Sequence, residues 1–451
     1  MAGGGMGGET AVRKCVLVVL DGLGDRAHAC LGDLTPLQAA HTPNLDRLAA
    51  RGCNGLYHAG RLGQPLPSEN AHFAMFGYEA CEFPGRGPLE ARGAGIDVSP
   101  DEVAVLAHFS SVDERDGCLY LHRDKPRAVT EELACELFAA VSFFESRGVR
   151  FRLARDRGLF GILVLSGAPG TTGTVGPDFT DTNPMVDGLP IPEVLPLCGA
   201  DPASENAAQA LKDYLLHVYR TLSEHPQNIE RAARGLCPLN AVVTQRPGRP
   251  GRPEPFAARH GLRALSVSSG IIYHGLCAYL GMDVEKCADT GDPGADLAKR
   301  LRFARGALDR YDFIHVHTKT PDEAAHTKSP QKKREVIEAL DAGLGQVMDM
   351  FLDDPGVIVA VTADHSTPSA GPLIHCGEPV PLVVCGPGQR RDAVTRFDEV
   401  AAAAGALGHP RGTELMRVLQ NAMDRAKLAG IRETPELRDF WPAPCTPFRL
   451  V

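Results

Sequence analysis

The sequence predicts an α/β protein built on a mostly parallel sheet flanked by helices. Three observations carry that expectation. Continuous apolar runs rich in β-branched residues recur along the chain, at 16–20 (VLVVL), 161–167 (GILVLSG), 313–318 (FIHVHT), 356–365 (GVIVAVTADH) and 380–386 (VPLVVCG). Such runs read as strands buried on both faces. Helical patterns lie between them, the longest over 329–354, and alternation of this kind builds a parallel sheet covered on both sides. Asp and His residues then follow several of the runs, at the strand ends where open α/β sheets bind their ligands.

At 451 residues the chain is long enough for two domains with full cores. Hydrophobic content of 43% and charged content of 23% are ordinary for a soluble globular protein. A net charge of −9 argues against a nucleic-acid binder, which carries a basic face. Residues 1–13, rich in glycine, read as a disordered tail. The apolar run behind them is too short for a secretory signal, and no stretch reaches the length of a membrane span. The 13 cysteines are dispersed and form no Cys-x-x-Cys pair. They read as reduced thiols of a cytoplasmic protein.

Local signals place the elements. In 42–52 (TPNLDRLAARG), Thr42 suits the N-cap of a short helix, Pro43 its first turn and Gly52 the position after its end. Residues 85–96 (GRGPLEARGAGI) read as a hinge and turn. The prolines of 245–255 (QRPGRPGRPEP) exclude helix and central strand and suggest an exposed, stiff linker. It would mark one end of an inserted domain. The end of the chain, around Trp441, reads as a tail packed on the core.

The chemistry-bearing residues recur at equivalent places. Asp21 follows the first strand, Asp322 and His326 follow 313–318, Asp364 and His365 follow 356–363, and His375 precedes 380–386. Asp322 and His326, four apart, share one helix face. Mixed carboxylate and imidazole ligands suit Zn or Mn. Three Asp and three His fill two sites of about three ligands each, leaving positions open for substrate as paired-metal phosphoryl transfer requires. Ser68, in PLPSENAHFAMFGYE, follows a turn and precedes a helical run. It reads as a helix cap, or as a metal-activated nucleophile, or as both. His315 and His317 share a strand face and read as structural or supporting groups, and His72 lies one helical turn after Ser68.

Taken together, VLVVLDGLGD, TPLQAAHTPNLDRLAARG, PSENAHFAMFGYE, GRGPLEARGAGI, TPDEAAHT, TADHSTP and HCGEPVPLVVCG resemble the archaeal-type cofactor-independent phosphoglycerate mutases of the alkaline phosphatase superfamily. The resemblance runs from about residue 16 to about residue 426. It implies an alkaline-phosphatase-like core domain, residues 14–85 and 262–451, with an inserted α/β substrate-capping domain at 86–261. It implies one divalent ion (Mn or Zn) on Asp21, Ser68, Asp364 and His365, and a second on Asp322, His326 and His375. Ser68 would accept the phosphoryl group and return it to the neighbouring hydroxyl of the same glycerate, converting 3-phosphoglycerate to 2-phosphoglycerate.

The departures concern the substrate. The nucleophile stands in Pro67-Ser68-Glu69 where the family has Gly-Ser-Asp. Phe160 and His274 occupy positions where a basic residue is expected, and Leu106-Ala107-His108 replaces an Arg-x-Asn. Arg123, Arg127 and Arg246 remain as candidate substrate ligands, with His274 beside them. The metal and nucleophile set is complete while the substrate grip is eroded. The expected partner is therefore a small phosphorylated or phosphonylated carboxylate. The alternative is a metal-dependent phosphomonoesterase or phosphonate-processing hydrolase on the same core; a non-catalytic relative would have lost a ligand or the serine.

Overall fold

A computed structural model describes residues 13–169 and 175–450. The tail expected at 1–13 lies, apart from Arg13, outside the described residues. The chain divides into two compact units, one made of Pro84–Arg252 and the other of the segments before and after it.

The discontinuous unit holds a seven-stranded sheet. Its strands run in the order Asp283–Lys286, Ala264–Ser268, Phe313–Thr318, Lys14–Leu20, Val357–Thr362, Val380–Cys385 and Cys53–Tyr57. The first five are parallel; Val380–Cys385 runs opposite to them, and Cys53–Tyr57, antiparallel to it, runs in their direction again. Every residue of Phe313–Thr318, Val357–Thr362 and Val380–Cys385 is buried, as the unbroken apolar runs require. Leu20 pairs with Thr318 and Val19 with Thr362. This register brings three strand ends level and puts the residues that follow them at one edge of the sheet.

Helix Pro43–Arg51 begins at Thr42, but the Thr42 side chain caps nothing. Asp341, from helix Pro330–Gly345, accepts the backbone N–H groups of Asn44 and Leu45 instead (3.1 and 2.7 Å). A distant carboxylate thus satisfies the orphan donors of the first turn. Gly52 has an extended backbone. Its lack of a side chain answers to space, because a Cβ would stand 2.6 Å from Cys385 Sγ. Near the chain end Phe440 is buried against Gly261, while Trp441 is half exposed.

The second unit is antiparallel throughout. Its sheet runs Cys118–Arg123, Val103–Arg115, Phe160–Gly167, Val149–Arg157, Phe143–Ser146, and Ala241–Gly248 also pairs with Val103–Arg115. Phe109, Phe138, Phe151, Leu211 and Tyr214 lie in its core, with the rings of Phe151 and Tyr214 stacked at 5.0 Å. Three local expectations change here. The 161–167 run is in this antiparallel sheet, because buried apolar runs do not reveal strand direction. Residues expected to form a hinge are helix Arg86–Ala94. The Arg/Pro segment begins as a half-buried strand rather than an exposed linker, with Pro247 on a strand that has one neighbour.

Candidate metal centre

The site grows from the level strand ends. Asp21 directly follows Lys14–Leu20, and the turn after it needs Gly22. That residue has φ +66°, and a Cβ there would lie 2.6 Å from Thr367 Oγ1 and 2.7 Å from Asp322 Cβ. Its N–H donates to Asp364 Oδ1 (3.0 Å), tying the first strand end to the one carrying Asp364. Helix Thr320–His326 starts two residues after Phe313–Thr318 and presents Asp322 and His326 one turn apart.

Three candidate groups converge on one nitrogen of a fourth. His365 Nε2 lies 2.9 Å from Ser68 Oγ, 3.2 Å from Asp364 Oδ2 and 3.6 Å from Asp21 Oδ1. A second cluster joins it at Asp322, with His326 Nε2 3.3 Å from Oδ2 and His375 Nε2 3.5 Å from Oδ1. Asp322 links the two clusters. Metal-compatible spacing is met by Asp322, His326 and His375, and again by Asp21, Asp322 and His365. The His365 and His375 rings stack at 3.7 Å.

Hydrogen bonds fix which nitrogens face the cluster. His375 Nδ1 lies 2.7 Å from the Leu66 carbonyl, which can only accept, so its Nε2 carries the free lone pair. Thr367 Oγ1 donates to Asp322 Oδ1 (2.8 Å) and therefore accepts from His365 Nδ1 (3.0 Å). His365 Nε2 is left as a lone pair aimed at Ser68, Asp21 and Asp364. Thr367 thereby orients one ligand from each cluster. His72 Nδ1 donates to the Ser68 carbonyl (2.9 Å) and lies 3.4 Å from Asp364 Oδ2.

Asp21 is braced from behind. Its Oδ2 accepts from the Tyr273 hydroxyl (2.5 Å) and from His317 Nε2 (2.9 Å). His315 and His317 are buried and held neutral, first by burial. Ser68 is the first residue of helix Ser68–Met75, whose N-cap is Pro67. The Ser68 hydroxyl goes to His365, at a helix N-terminus where N–H groups favour negative charge.

The electrostatics call for cations. Asp21 Oδ1, Asp322 Oδ2 and Asp364 Oδ2 are buried without a hydrogen bond. Burial, and next the Asp364 charge, push the Asp21 carboxyl up to about 6. Burial would also raise Asp322, but His326 and His375 outweigh it and hold that carboxyl well below its usual range. Asp364 is likewise held low, against its burial, by His365 and His72. Burial keeps His365 below its usual value and neutral. Three buried carboxylates in one cluster, with imidazole lone pairs aimed among them, are stable only around positive charge. The donor set fits divalent transition ions.

The candidate substrate ligands lie elsewhere. His274 Nε2 donates to the Ser268 carbonyl (2.9 Å), and burial depresses its pKa, so it carries no charge at neutral pH. Arg123 is exposed and paired with Asp187 (2.9 Å). Arg127 is exposed, and its carbonyl accepts from Arg231. Arg246 lines a cavity of about 210 Å³ in the second unit, together with Arg86, His108, Asp124, Arg157 and Phe160. There His108 Nε2 bonds Asp124 Oδ1 (2.9 Å), Arg86 pairs with Glu90 (2.6 Å) and Arg157 with Asp156 (2.9 Å).

Tyr273, Thr367 and Gly22 were not legible as site residues. Thr367 stands two residues after His365 and offers a local cue. Tyr273 sits in an apolar helix, Ile271–Tyr279, with nothing in the pattern to mark it.

Residues 13–422 match the model of the metalloenzyme superfamily. The chain is 37% identical over 421 residues to a 2,3-bisphosphoglycerate-independent phosphoglycerate mutase of Methanopyrus kandleri, covering 93% of this chain and 98% of that one. It is also 37% identical over 440 residues to one of Methanocaldococcus jannaschii, covering 95% and 97%. Among solved structures, a cofactor-independent phosphoglycerate mutase from Thermoplasma acidophilum superposes with a TM-score of 0.61 at 29% identity, covering 91% of this chain and all of that one. A protein from Pyrococcus horikoshii gives 0.74 at 29%, covering 94% and all of it. The chain belongs to the metalloenzyme superfamily, in the family of the archaeal 2,3-bisphosphoglycerate-independent phosphoglycerate mutases.

Proposed function

We propose that the protein is a phosphoglycerate mutase that interconverts 3-phosphoglycerate and 2-phosphoglycerate through a phosphoserine at Ser68. The observation that carries this reading is the convergence of Ser68 Oγ, Asp21 Oδ1 and Asp364 Oδ2 on His365 Nε2. Family membership supplies the substrate class.

Asp21, Ser68, Asp364 and His365 would hold one divalent ion, and Asp322, His326 and His375 the other, with manganese or zinc suited to the donors. Bound there, the ions supply Lewis acidity that lowers the serine pKa and neutralises phosphoryl charge. The protein's own groups do the rest. Helix Ser68–Met75 directs its first N–H groups at the incoming phosphoryl oxygens. His365, anchored through Thr367, fixes the Ser68 hydroxyl. Tyr273 and His317 hold Asp21 ionised against its burial. Mutase outcome then requires that the glycerate freed from its phosphate stay bound while Ser68 carries it. We assign that holding to the second unit as a capping domain, with Arg246 as the candidate anion ligand and Arg123 and Arg127 in lesser parts; His274, a further candidate, stands in the discontinuous unit. The dispersed free cysteines suit a reducing cytoplasm.

Manganese-loaded protein incubated with 3-phosphoglycerate, quenched in acid and mapped by mass spectrometry should carry one phosphate on the peptide containing Ser68. A Ser68→Ala variant that melts like the wild type should carry none. Turnover without a phosphopeptide, or turnover retained in the alanine variant, contradicts the reading.

A further inference from the structure

Three lysines lie around the candidate metal centre, and one of them, Lys319, reaches two of the side chains at its heart. Lys328 Nζ donates to the Pro368 and Leu373 carbonyls. Lys333 Nζ is buried on the Gly24 and Thr367 carbonyls and on Asp25. Lys319 differs. Its Nζ lies 3.5 Å from Asp322 Oδ2 and 3.2 Å from the Tyr273 hydroxyl, and it stands over the Tyr273 ring, 5.6 Å from the centroid. Tyr273 in turn donates to Asp21 and also interacts with the Ser68 side chain. One third of the Lys319 side chain is exposed, so it reaches this cluster from the open side.

We propose that Lys319, steered by Tyr273, is a catalytic residue that binds the phosphoryl oxygens at Ser68. This rests on the two-ion reading above. Asp322 Oδ2 is the atom an ion would take. Once it is taken, the ammonium loses most of its attraction to that carboxylate and is driven toward the next anion within reach. Charge gives the reason for a cation there. Two divalent ions on Asp21, Asp322 and Asp364 leave one positive charge, a phosphoryl dianion on Ser68 turns this into one negative charge, and Lys319 brings the cluster to neutrality. His274, hydrogen-bonded to the Ser268 carbonyl and neutral, cannot supply that charge. Lys319 is short-tethered, since it directly precedes helix Thr320–His326, which carries Asp322. The phenol, which donates to Asp21, accepts from the ammonium and restricts its swing.

The inference predicts opposite movements of two affinities. Lys319 repels cations and attracts phosphate. In K319M, the manganese affinity measured by calorimetry on metal-free protein should be unchanged or tighter. The affinity of the manganese-loaded protein for inorganic phosphate should fall about tenfold or more, the size expected for a lost charge-assisted contact. K319R should keep phosphate affinity within about threefold, because the charge remains. K319Q repeats the test with a polar, uncharged side chain if K319M does not fold. Loss of manganese and phosphate binding together would mark a structural role and overturn the proposal. So would phosphate binding within twofold of wild type in both uncharged variants. Mutase turnover is not read in this experiment. A wild type without turnover but with lysine-dependent phosphate binding would refute the proposed function and leave this inference standing.

Discussion

The two units treat charge in opposite ways. In the discontinuous unit, the Asp21, Asp322 and Asp364 carboxylates each keep one buried oxygen without a hydrogen bond, and the His365 and His375 lone pairs face the same cluster. In the second unit, charges that line the cavity are paired with neighbours: Arg86 with Glu90 and Arg157 with Asp156, while His108 is hydrogen-bonded to Asp124. The first arrangement is incomplete without cations and grips what it binds. An anionic ligand in the second-unit cavity must compete with Glu90 for Arg86 and with Asp156 for Arg157. If the second unit holds substrate as proposed, substitutions in the two units should fail in different ways.

The largest effect belongs to Ser68, the proposed nucleophile. Ser68→Ala should lower kcat by at least about a thousandfold with little change in thermal stability, since the helix N-cap is Pro67 and the hydroxyl bonds His365 instead. Steady-state rates and a melting curve check it. Asp322→Ala comes next. Asp322 links the two clusters, so its loss should reduce the manganese bound per chain by more than any loss of His326, as measured by elemental analysis after dialysis.

Stability should respond to pH through a group away from the metal. Burial, and only then its neighbours, pushes His260 down to about 4, with Nε2 directed at the Phe76 carbonyl (2.8 Å). The unfolded chain binds this proton near pH 6.5 and the folded chain only near 4. Stability present above pH 6.5 is therefore lost as pH falls toward 4, by at most about 3 kcal/mol. Urea titrations across that window should show the loss, and His260→Gln should flatten it.

The second unit should give smaller effects, seen in KM. Glu90→Gln removes a competitor for Arg86, and KM for phosphoglycerate should fall about threefold with kcat unchanged. Smallest of all, Arg123→Ala should leave both constants within twofold, because Arg123 makes an exposed ion pair with Asp187. A large effect there would show that the surface pair gives way to substrate and that the balanced-charge account of this unit is incomplete.

The clustering of the candidate metal ligands was legible because a parallel sheet turns sequence position into spatial position. Apolar runs end in Asp or His, and the register of 14–20 with 313–318 and 357–362 makes those ends level. The capping of Pro43–Arg51 was not legible, since the acceptor, Asp341, is nearly 300 residues away. Nor was Tyr273, whose role depends on packing between a helix and the Asp21 turn rather than on any local pattern. The antiparallel direction of 160–167 was hidden for another reason: both faces of that strand are buried, so its residues carry no sign of which neighbour they pair with. Arg86–Ala94 was misread as a hinge because four glycines in the twelve residues 85–96 outweighed its helical spacing. Gly87 is in the helix because a Cβ would meet the Ala104 carbonyl at 2.1 Å.

The account turns on whether the phosphoryl group returns to the glycerate or escapes to water. Manganese-loaded protein should be incubated with 3-phosphoglycerate while 2-phosphoglycerate and inorganic phosphate are followed in the same sample. The account predicts that 2-phosphoglycerate forms and approaches equilibrium with 3-phosphoglycerate, with inorganic phosphate a minor product. Phosphate accumulating without 2-phosphoglycerate would contradict it and make the protein a phosphatase on a mutase core.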